Sequence, residues 1–465
     1  MRTALRESIR NVGIPAVAAG ALAVAFPSLP LIGGVLLLAS LIAFAAWPML
    51  GWSLVVLTYP FIYLQVFFGE TMNIPYVDLL ALLTFVGVAI RVVVNRVRRR
   101  SAYGLRLTAY DLPGLLPFLL FIAVAALSLI NVEDVAAGVK FLLRPLTFSY
   151  LMFVALPVIV IDSPRRLFTT FRIMFLVGVL AAAMGVWSLL SPPEPGAFRR
   201  AVPIIVYGMT PLGTNHNLLA EVLVSVVPVG VILALFTGER LRRWYVVGTL
   251  ALTAVALLTF SRNGWLTLAV EGAVLSVALA RDRGIPWRRI AAATAPIAAV
   301  VAVAISLFSF TAVARSSNVN RLRLTEIAFA QFREHPIIGA GIGTFQEAVA
   351  RDKWYIADFG KPQEAHGLIQ KTLAETGVLG FLAFAALLAA VVAAIIRTYR
   401  SATVAPAWRF ILLALLCTAF GSIVFQIFNT SYFVSKLWLP LGVAVAAVRL
   451  AVQGIALRRA DTGFQ

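Results

Sequence analysis

Residues 377–396 read GVLGFLAFAALLAAVVAAII, and no polar side chain occurs in this stretch before Arg397. An α-helix rises about 1.5 Å per residue, so a helix over these residues matches the roughly 30 Å hydrocarbon thickness of a bilayer. The apolar residues are continuous and do not alternate with polar ones, which excludes a strand of a transmembrane β-barrel. The stretch therefore predicts a membrane-spanning helix.

Similar apolar runs recur along the chain. Hydrophobic residues make up 61% of the 465 residues and charged residues 13%, against about a quarter charged in a soluble domain. We predict an all-α fold, a polytopic transmembrane helix bundle of about 12–14 spans. The predicted spans lie near residues 12–27, 29–47, 50–68, 77–94, 112–131, 137–161, 167–190, 215–236, 244–260, 264–280, 288–310, 375–396, 409–429 and 432–450.

The distribution of arginine predicts the orientation. Basic clusters such as those at 96–100, 240–243 and 458–459 fall in loops on one side of the predicted topology. Loops rich in Arg face the cytoplasm, so we expect a cytoplasmic (inner) membrane protein with both termini cytoplasmic. Orientation alone can produce most of the +19 formal net charge, and nucleic acid is not an expected partner.

The single cysteine, Cys417, lies in an apolar run, so we expect neither a disulfide framework nor a thiolate metal site. The basic N-terminus and the apolar run at 12–26 resemble a secretory signal, but many spans follow and we expect an uncleaved first helix.

The spans divide the chain into three parts. We predict a transmembrane bundle over 1–308, a large periplasmic or extracellular loop over 309–374, and C-terminal transmembrane helices with a short cytoplasmic tail over 375–465. Within the loop, Ala328–Phe332 suits a short amphipathic helix, and 337–343 is a glycine-rich turn. A long loop with structure of its own is typically functional, so the activity is expected to involve this loop.

Histidine is scarce, with only His216, His335 and His366. None forms a recognisable metal pair with an acidic partner, so no metal site is expected. His366 precedes the next span, where a neutral imidazole could take a proton from a sugar hydroxyl; the alternative is an interfacial polar residue without a catalytic role. We expect His335, before Pro336, to have a structural turn role, and His216 to cap a helix or contact substrate, with capping favoured.

Arginines on the outward side of the membrane are the second group of candidate functional residues. Arg262 lies in a tight hairpin between two spans, and Arg321 and Arg323 lie in the large loop. Orientation rules disfavour Arg on this side, and its guanidinium suits bidentate binding of a pyrophosphate. The alternatives are a side chain that reaches the lipid headgroups for Arg262 and a solvated charged face for the other two.

Charged residues inside the predicted spans form a third group. Burying a charge in lipid costs at least a few kcal/mol, so these residues should face the bundle interior and pair. Arg144 could pair with Glu271 or Glu221; alternatively, Lys140 and Arg144 could line a pocket for an anionic lipid head. The sequence leaves both possibilities open.

Three motifs in the C-terminal half carry a family resemblance. Residues 259–265 (TFSRNGW) contain Ser-Arg-x-Gly, and residues 335–345 (HPIIGAGIGTF) follow Arg321 with His-Pro-x-x-Gly-x-Gly-x-Gly-x-Phe. His366 is followed by Gly377 and Gly380 at the spacing of a Gly-x-x-Gly element. Together, over roughly 259–380, these motifs resemble the O-antigen ligase and polymerase-like family of membrane glycosyltransferases.

Two positions depart from the family pattern. Gly367 stands where the family usually has Asn, Ser or Gln, and Thr325 stands where an apolar or aromatic residue is more typical. The second departure leaves Arg321 and Arg323 as competing candidates for the family's loop arginine, and we favour Arg321. The segment around Asn217 is only loosely similar to a family Asn-x-x-Ala element.

The resemblance implies an inverting, metal-independent transfer of glycan without a cofactor. The donor would be an undecaprenyl-pyrophosphate-linked glycan, and the acceptor a lipid or glycan hydroxyl, lipid A-core if the envelope is Gram-negative. His366 would be the base, on the periplasmic face, surrounded by membrane lipid. The candidate substrate-binding residues are Arg262, Arg321, Arg323, Arg144, Lys140 and Asn217.

Two other functions are alternatives to a ligase. A polysaccharide polymerase of the same family would use the same donor and differ only in its acceptor. A lipid or solute transporter would use the intramembrane charges as its pathway, but such a protein should show repeated halves or broken helices at matching positions. The sequence contains no visible repeat, which makes the transporter the less favoured function.

Overall fold

The computed structural model describes residues 30–68, 72–97, 111–191, 198–282, 284–430 and 432–454. Almost all of the regular structure is helical, which confirms the all-α polytopic helix bundle. A single two-stranded antiparallel hairpin, β1 (Gln65–Phe68) and β2 (Met72–Pro75), is the exception among the described residues. The predicted span at 12–27 lies outside the described residues.

Sixteen helices are used below and are numbered in chain order. The first eight are α1 (Pro30–Ala46), α2 (Pro48–Thr58), α3 (Tyr76–Val97), α4 (Leu115–Ser128), α5 (Val135–Val160), α6 (Pro164–Leu190), α7 (His216–Phe236) and α8 (Glu239–Leu258). The others are α9 (Arg262–Asp282), α10 (Trp287–Ser309), α11 (Ala312–Glu334), α12 (Phe345–Arg351), α13 (Lys353–Phe359), α14 (Leu368–Arg400), α15 (Pro406–Ile427) and α16 (Ser435–Val452).

Eight of the described helices are long and apolar enough to cross a membrane. They are α3, α5, α6, α7, α8, α14, α15 and α16. The pair α1 and α2 would add a ninth span, but the chain bends by 117° between them. Pro48 starts α2 and cannot donate a backbone hydrogen bond to continue α1, which is the physical cause of the break.

The described span count is lower than the predicted 12–14, and four of the predicted spans explain part of the difference. The predicted span 50–68 ends early, because α2 stops at Thr58 and the chain then forms the β-hairpin. The predicted span 112–131 corresponds to an apolar helix shorter than eighteen residues. Helices α9 and α10 lie at the predicted positions and are of membrane-crossing length, but they are not among the eight.

The bundle is centred on α16, which is almost entirely buried and packs between α5, α14 and α15. Trp438 of α16 meets Phe118 and Tyr150 edge to face, with ring centroids 6.5 and 6.1 Å apart. Aromatic pairs of this geometry add stabilisation beyond the burial of their surface. They tie the two halves of the chain into one core.

The large loop contains more helix than predicted. The short amphipathic helix predicted at Ala328–Phe332 is the C-terminal part of α11, which begins at Ala312 and ends at Glu334. One side of α11 packs against α12, α13 and the start of α14 in a small apolar cluster that includes Leu324, Phe345 and Tyr355. This cluster makes the loop a structured cap on the bundle.

The glycine-rich turn after α11 packs directly on a kink in α14. At Gly377 the backbone of α14 has φ 62° and ψ −167°, a conformation that is essentially restricted to glycine. The N–H groups of Val378 and Leu379, freed by the kink, donate to the carbonyls of Pro336 and Ile337 at 2.9 and 3.2 Å. Gly339 and Gly377 therefore allow close backbone contact between the turn and α14, since a Cβ at Gly339 would lie 2.2 Å from the carbonyl carbon of Glu375.

We expect Gly377→Ala to destabilise the protein by roughly 2–5 kcal/mol, because the backbone strain and the new clash add. A Cβ at this position would lie 2.4 Å from the carbonyl carbon of Ile337. Thermal unfolding in detergent measures the effect. The matched control is Gly272→Ala at an exposed position of α9, where a Cβ meets nothing within 4 Å; it should leave stability unchanged or raise it slightly. Equal unfolding temperatures for the two variants would contradict this account.

Candidate active site

The Ser-Arg-x-Gly hairpin owes its shape to one serine. Ser261 Oγ accepts a hydrogen bond from the N–H of Gly264 at 3.2 Å and so caps the N-terminus of α9. The same hydroxyl donates to Asn217 Oδ1 on α7 at 2.7 Å. Phe260, just before it, has φ 53°, an unusual conformation for a bulky residue that marks a constrained turn. The result is that Arg262 is fixed as the first residue of α9.

Arg262 and Arg321 are held by neutral oxygen atoms. Arg262 Nη1 donates to Ser309 Oγ at 2.9 Å, and Arg321 Nη1 donates to the carbonyl oxygen of Phe428 at 3.1 Å. Asn263 Nδ2 donates to the same carbonyl at 3.1 Å. The start of α9 and the middle of α11 therefore meet at the backbone of Phe428, which directly follows α15.

His366 lies in a short extended segment before α14, and Thr430 holds the backbone on both sides of it. The N–H of Gly367 donates to Thr430 Oγ1 at 2.9 Å, and Thr430 Oγ1 donates to the carbonyl of Ala365. Gly367 lacks the polar side chain that the family usually has at this position. Thr430 supplies a polar contact there from a different part of the chain.

The positive charges of this region act on one another. Burial, and then the charge of Arg262, lower the pKa of Arg321 to about 10. Burial, and then the charge of Arg321, lower the pKa of His366 to about 4. The charges of Arg200, Arg262 and Arg321 all act on His216, the first residue of α7. We call Arg200, His216, Arg262, Arg321 and His366 the cationic cluster.

Within the part of the chain that the structure describes, no salt bridge joins a residue of the cationic cluster to a carboxylate. At neutral pH the arginines keep their charge, whereas His366, with a pKa of about 4, is neutral and can accept a proton. Such an arrangement can bind a polyanion through charge-assisted hydrogen bonds and can deprotonate a group placed beside His366.

An apolar groove ends beside the segments that contain His366 and Phe428. It has a volume of about 450 Å³ and lies between α14 and α15. At one end it is lined by Leu368, two residues after His366, and by Ile427, next to Phe428. Its lining continues along α14 to Ile396. The groove can therefore take an extended apolar chain whose polar end reaches the cluster.

The structure brings Arg262, Arg321 and His366 together, with Asn217 beneath them as the acceptor of the Ser261 hydroxyl. It places Arg323 elsewhere. Arg323 forms ion pairs with Glu326 and Asp352 at 2.9 and 3.0 Å. Of the two candidates for the family's loop arginine, Arg321 belongs to the cationic cluster and Arg323 does not.

Lys140 and Arg144 are also outside the cationic cluster. Arg144 donates a hydrogen bond to the carbonyl of Asn73 at 3.0 Å and lies 3.9 Å from the carboxylate of Asp78. Lys140 is exposed, in the last turn of the helical segment Val135–Phe141. The pairing of Arg144 with Glu271 or Glu221 was wrong. Asp78 supplies the nearby carboxylate, because β2 and the start of α3 pack beside α5.

Glu221 is paired within the core. Its Oε1 accepts from Gln426 Nε2 at 2.7 Å, and its Oε2 lies 3.7 Å from Lys436 Nζ. The favoured capping role of His216 was also wrong: Asn215 caps α7 by accepting from the N–H of Asn217 at 2.9 Å. His335 ends α11, and its carbonyl accepts from the N–H of Gly339 at 2.9 Å, which fits the expected turn role.

Sequence reasoning missed several residues of the site. Thr430 lies outside the recognised motifs, and only the fold brings it against the backbone beside His366. Arg200 also lies outside them, and only the fold brings its charge near His216. Lys371 was missed as well, although it is only 1% exposed and pairs with Glu364 and with Glu375, the latter at 3.2 Å. A lysine and a glutamate four residues apart at the start of a span were a signal that could have been used.

Among the described residues, no group of three His, Cys, Asp or Glu side chains is placed to hold a metal ion.

The fold and the site define an integral membrane protein with a cationic, partly buried polar site at the end of an apolar groove. Residues 247–385 match the family model described as O-Antigen ligase. This match confirms the resemblance to the O-antigen ligase-like family, whose members are membrane enzymes. No curated protein gives a significant match.

We expect Thr430→Val to lower kcat roughly tenfold or more while KM changes little, because Thr430 holds the backbone around His366 and small displacements within an active site are costly. Valine keeps the volume but removes both hydrogen bonds around His366. Steady-state kinetics of the purified variant measures the effect. Thr430→Ser keeps the hydroxyl and should restore kcat to near the wild-type value; a serine variant as slow as the valine variant would argue against a positioning role.

Proposed function

We propose that this protein is a membrane glycosyltransferase of the O-antigen ligase type, which transfers glycan from an undecaprenyl-pyrophosphate carrier to an acceptor hydroxyl. The observation that carries the proposal is the cationic cluster at the end of the apolar groove. An anionic headgroup on a long apolar tail is the ligand class that matches both parts. The family match over residues 247–385 supports the same reaction class.

The carrier would bind with its diphosphate on Arg262 and Arg321 and its prenyl tail in the groove between α14 and α15. These arginines are held by Ser309 and by the Phe428 carbonyl, so no carboxylate competes with the diphosphate at those contacts. Arg200 adds further positive charge on the same side, where it acts on His216. The arrangement favours a diphosphate over a neutral headgroup, since charge-assisted bonds are the stronger ones.

The chemical step requires one bond to form as another breaks. The acceptor oxygen attacks the anomeric carbon from the face opposite the diphosphate and inverts its configuration. The bond from that carbon to the phosphate oxygen breaks, and the diphosphate leaves with the electron pair. The acceptor proton passes to His366. The arginines stabilise the negative charge that grows on the leaving group, a form of electrostatic catalysis by preorganised donors.

The low pKa of His366 fits this sequence of events. Without donor, burial and the Arg321 charge keep the imidazole neutral and able to accept a proton. A bound diphosphate brings negative charge, which favours the imidazolium and raises the pKa of His366. The base therefore becomes stronger when the donor is present, and the proton that it accepts is stabilised.

A polymerase of the same family would differ in its acceptor, which would be a second carrier-linked glycan in place of a lipid-anchored core. The cationic cluster serves the donor in either case. We place the cluster on the periplasmic face of the cytoplasmic membrane, with both termini cytoplasmic, on the asymmetry of arginine among the loops. Mass analysis of products from purified protein, donor and each acceptor class distinguishes the two enzymes.

We expect Arg321→Gln to weaken donor binding roughly tenfold to a hundredfold, because hydrogen bonds to charged groups contribute about 1.5–3 kcal/mol each. Binding of a polyprenyl diphosphate in detergent, followed by microscale thermophoresis, measures this. The matched control is Arg323→Gln, which removes the same charge from the same helix but from the ion pairs with Glu326 and Asp352. If both variants bind the diphosphate equally well, the proposed donor site is wrong.

We expect the acid limb of the pH profile to lie at a higher pH for kcat than for kcat/KM. The profile of kcat/KM reports the free enzyme, in which the pKa of His366 is about 4. The profile of kcat reports the donor complex, in which the diphosphate raises that pKa. Activity should fall as the pH drops through each value, since the protonated imidazole cannot act as a base.

His366→Ala is the control for the pH profile. It should reduce kcat by roughly a hundredfold to ten-thousandfold, the usual contribution of a general base, and the acid limb should disappear from the residual rate. Binding of the polyprenyl diphosphate should stay within a few fold of the wild-type affinity. Near-normal transfer by this variant would remove His366 from the role of base.

A further inference from the structure

A second large cleft lies at the end of the bundle opposite to the cationic cluster. Its volume is about 690 Å³, and it is lined by residues of α9, α14 and α15. Helix α14 starts two residues after His366 and ends at Arg400. At about 1.5 Å per residue this helix is long enough to cross a bilayer completely. The cleft at its C-terminal end is therefore on the other membrane surface.

The cleft combines three arginines with an apolar floor. Arg281 lies in the last turn of α9. On the same helix, Ala273, Val274, Val277 and Ala278 line the floor of the cleft at helical spacing. Arg400 and Arg409 contribute from α14 and α15, and Leu413 and Leu416 extend the floor along the same face of α15 as Arg409. No carboxylate occurs among the lining residues that the structure describes.

Arg409 is oriented by the chain but keeps unused hydrogen-bonding capacity. Its Nη2 donates to the carbonyl of Ser401 at 3.2 Å, just after α14 ends. Its Nε is buried and has no hydrogen-bond partner among the described residues. A buried guanidinium N–H without a partner costs free energy, and an anion in the cleft would satisfy it.

We propose that this cleft binds an anionic glycerophospholipid. The phosphate of the headgroup lies among Arg281, Arg400 and Arg409, and an acyl chain lies on the floor formed by α9 and α15. The apolar floor distinguishes this ligand from a soluble phosphate, which could not use it. Basic pockets between transmembrane helices at a membrane surface are known to favour such headgroups. The site is separate from the donor site and does not depend on the proposed function.

Native mass spectrometry tests the proposal with full-length protein in detergent and an equimolar mixture of phosphatidylglycerol and phosphatidylcholine. The wild type should retain phosphatidylglycerol in clear preference. The double substitution Arg281→Gln and Arg400→Gln should reduce this retention by an order of magnitude or more, since each arginine near a membrane surface contributes roughly a fivefold effect. Equal retention of both lipids by the wild type would overturn the proposal.

Arg397→Gln is the matched control, because Arg397 lies on the same helix one turn earlier, is exposed, and does not line the cleft. It should change retention less than twofold. A loss as large as that of the double variant would mean that general surface charge, and not the cleft, attracts the lipid.

Val277→Trp tests the floor separately, because it fills the cleft and keeps every arginine. Retention of phosphatidylglycerol should fall at least fivefold; unchanged retention would overturn the proposed acyl-chain contact. Addition of inorganic phosphate to the wild type should not displace the lipid. Displacement by phosphate alone would show a simple anion site and would also overturn the proposal. Thermal unfolding of each variant confirms that it is folded.

Discussion

The carbonyl oxygen of Phe428 is the contact on which the site depends. It accepts hydrogen bonds from Arg321 on α11 and from Asn263 on α9, so it joins two helices that are distant in sequence. A carbonyl oxygen orients a guanidinium without neutralising it. The positive charge therefore stays available to an anionic ligand, and it also acts on His366. The Phe428 carbonyl therefore positions Arg321 and also leaves its charge able to act on its surroundings.

The position of His366 depends on interactions on both sides of it. Lys371, one turn into α14, pairs with Glu364 and Glu375 beneath the site, and Glu375 Oε1 accepts from the N–H of Phe345 at 3.2 Å. A buried ion pair of this kind is strongly destabilising when one partner is removed. It ties the segment before His366, helix α14 and the glycine-rich turn into one unit. The kink at Gly377 completes this unit by bringing the turn against the helix.

Charge and apolar surface are separated along the axis of the bundle. Uncompensated positive charge lies at one end of the groove between α14 and α15, and a second group of arginines lies at the far end of the same two helices. In a membrane, both ends lie in the headgroup regions, where phosphate groups are abundant and electrostatic attraction is less screened than in bulk water. One pair of helices thus has arginine side chains near both of its ends, and the first of these ends also lies beside His366.

The sequence by itself determined that the fold is a bundle of membrane-spanning helices, because continuous apolar runs have few alternatives in lipid, but it did not determine the number of spans. It also determined the motifs that contain Arg262, Arg321 and His366. The tertiary structure decided between Arg321 and Arg323: two residues apart on a helix point in nearly opposite directions, so the choice depends on which face of α11 meets Phe428. It also added Arg200 and Thr430 and gave Arg144 its partner Asp78, since these contacts join segments that are far apart in the sequence, where no helical spacing predicts them.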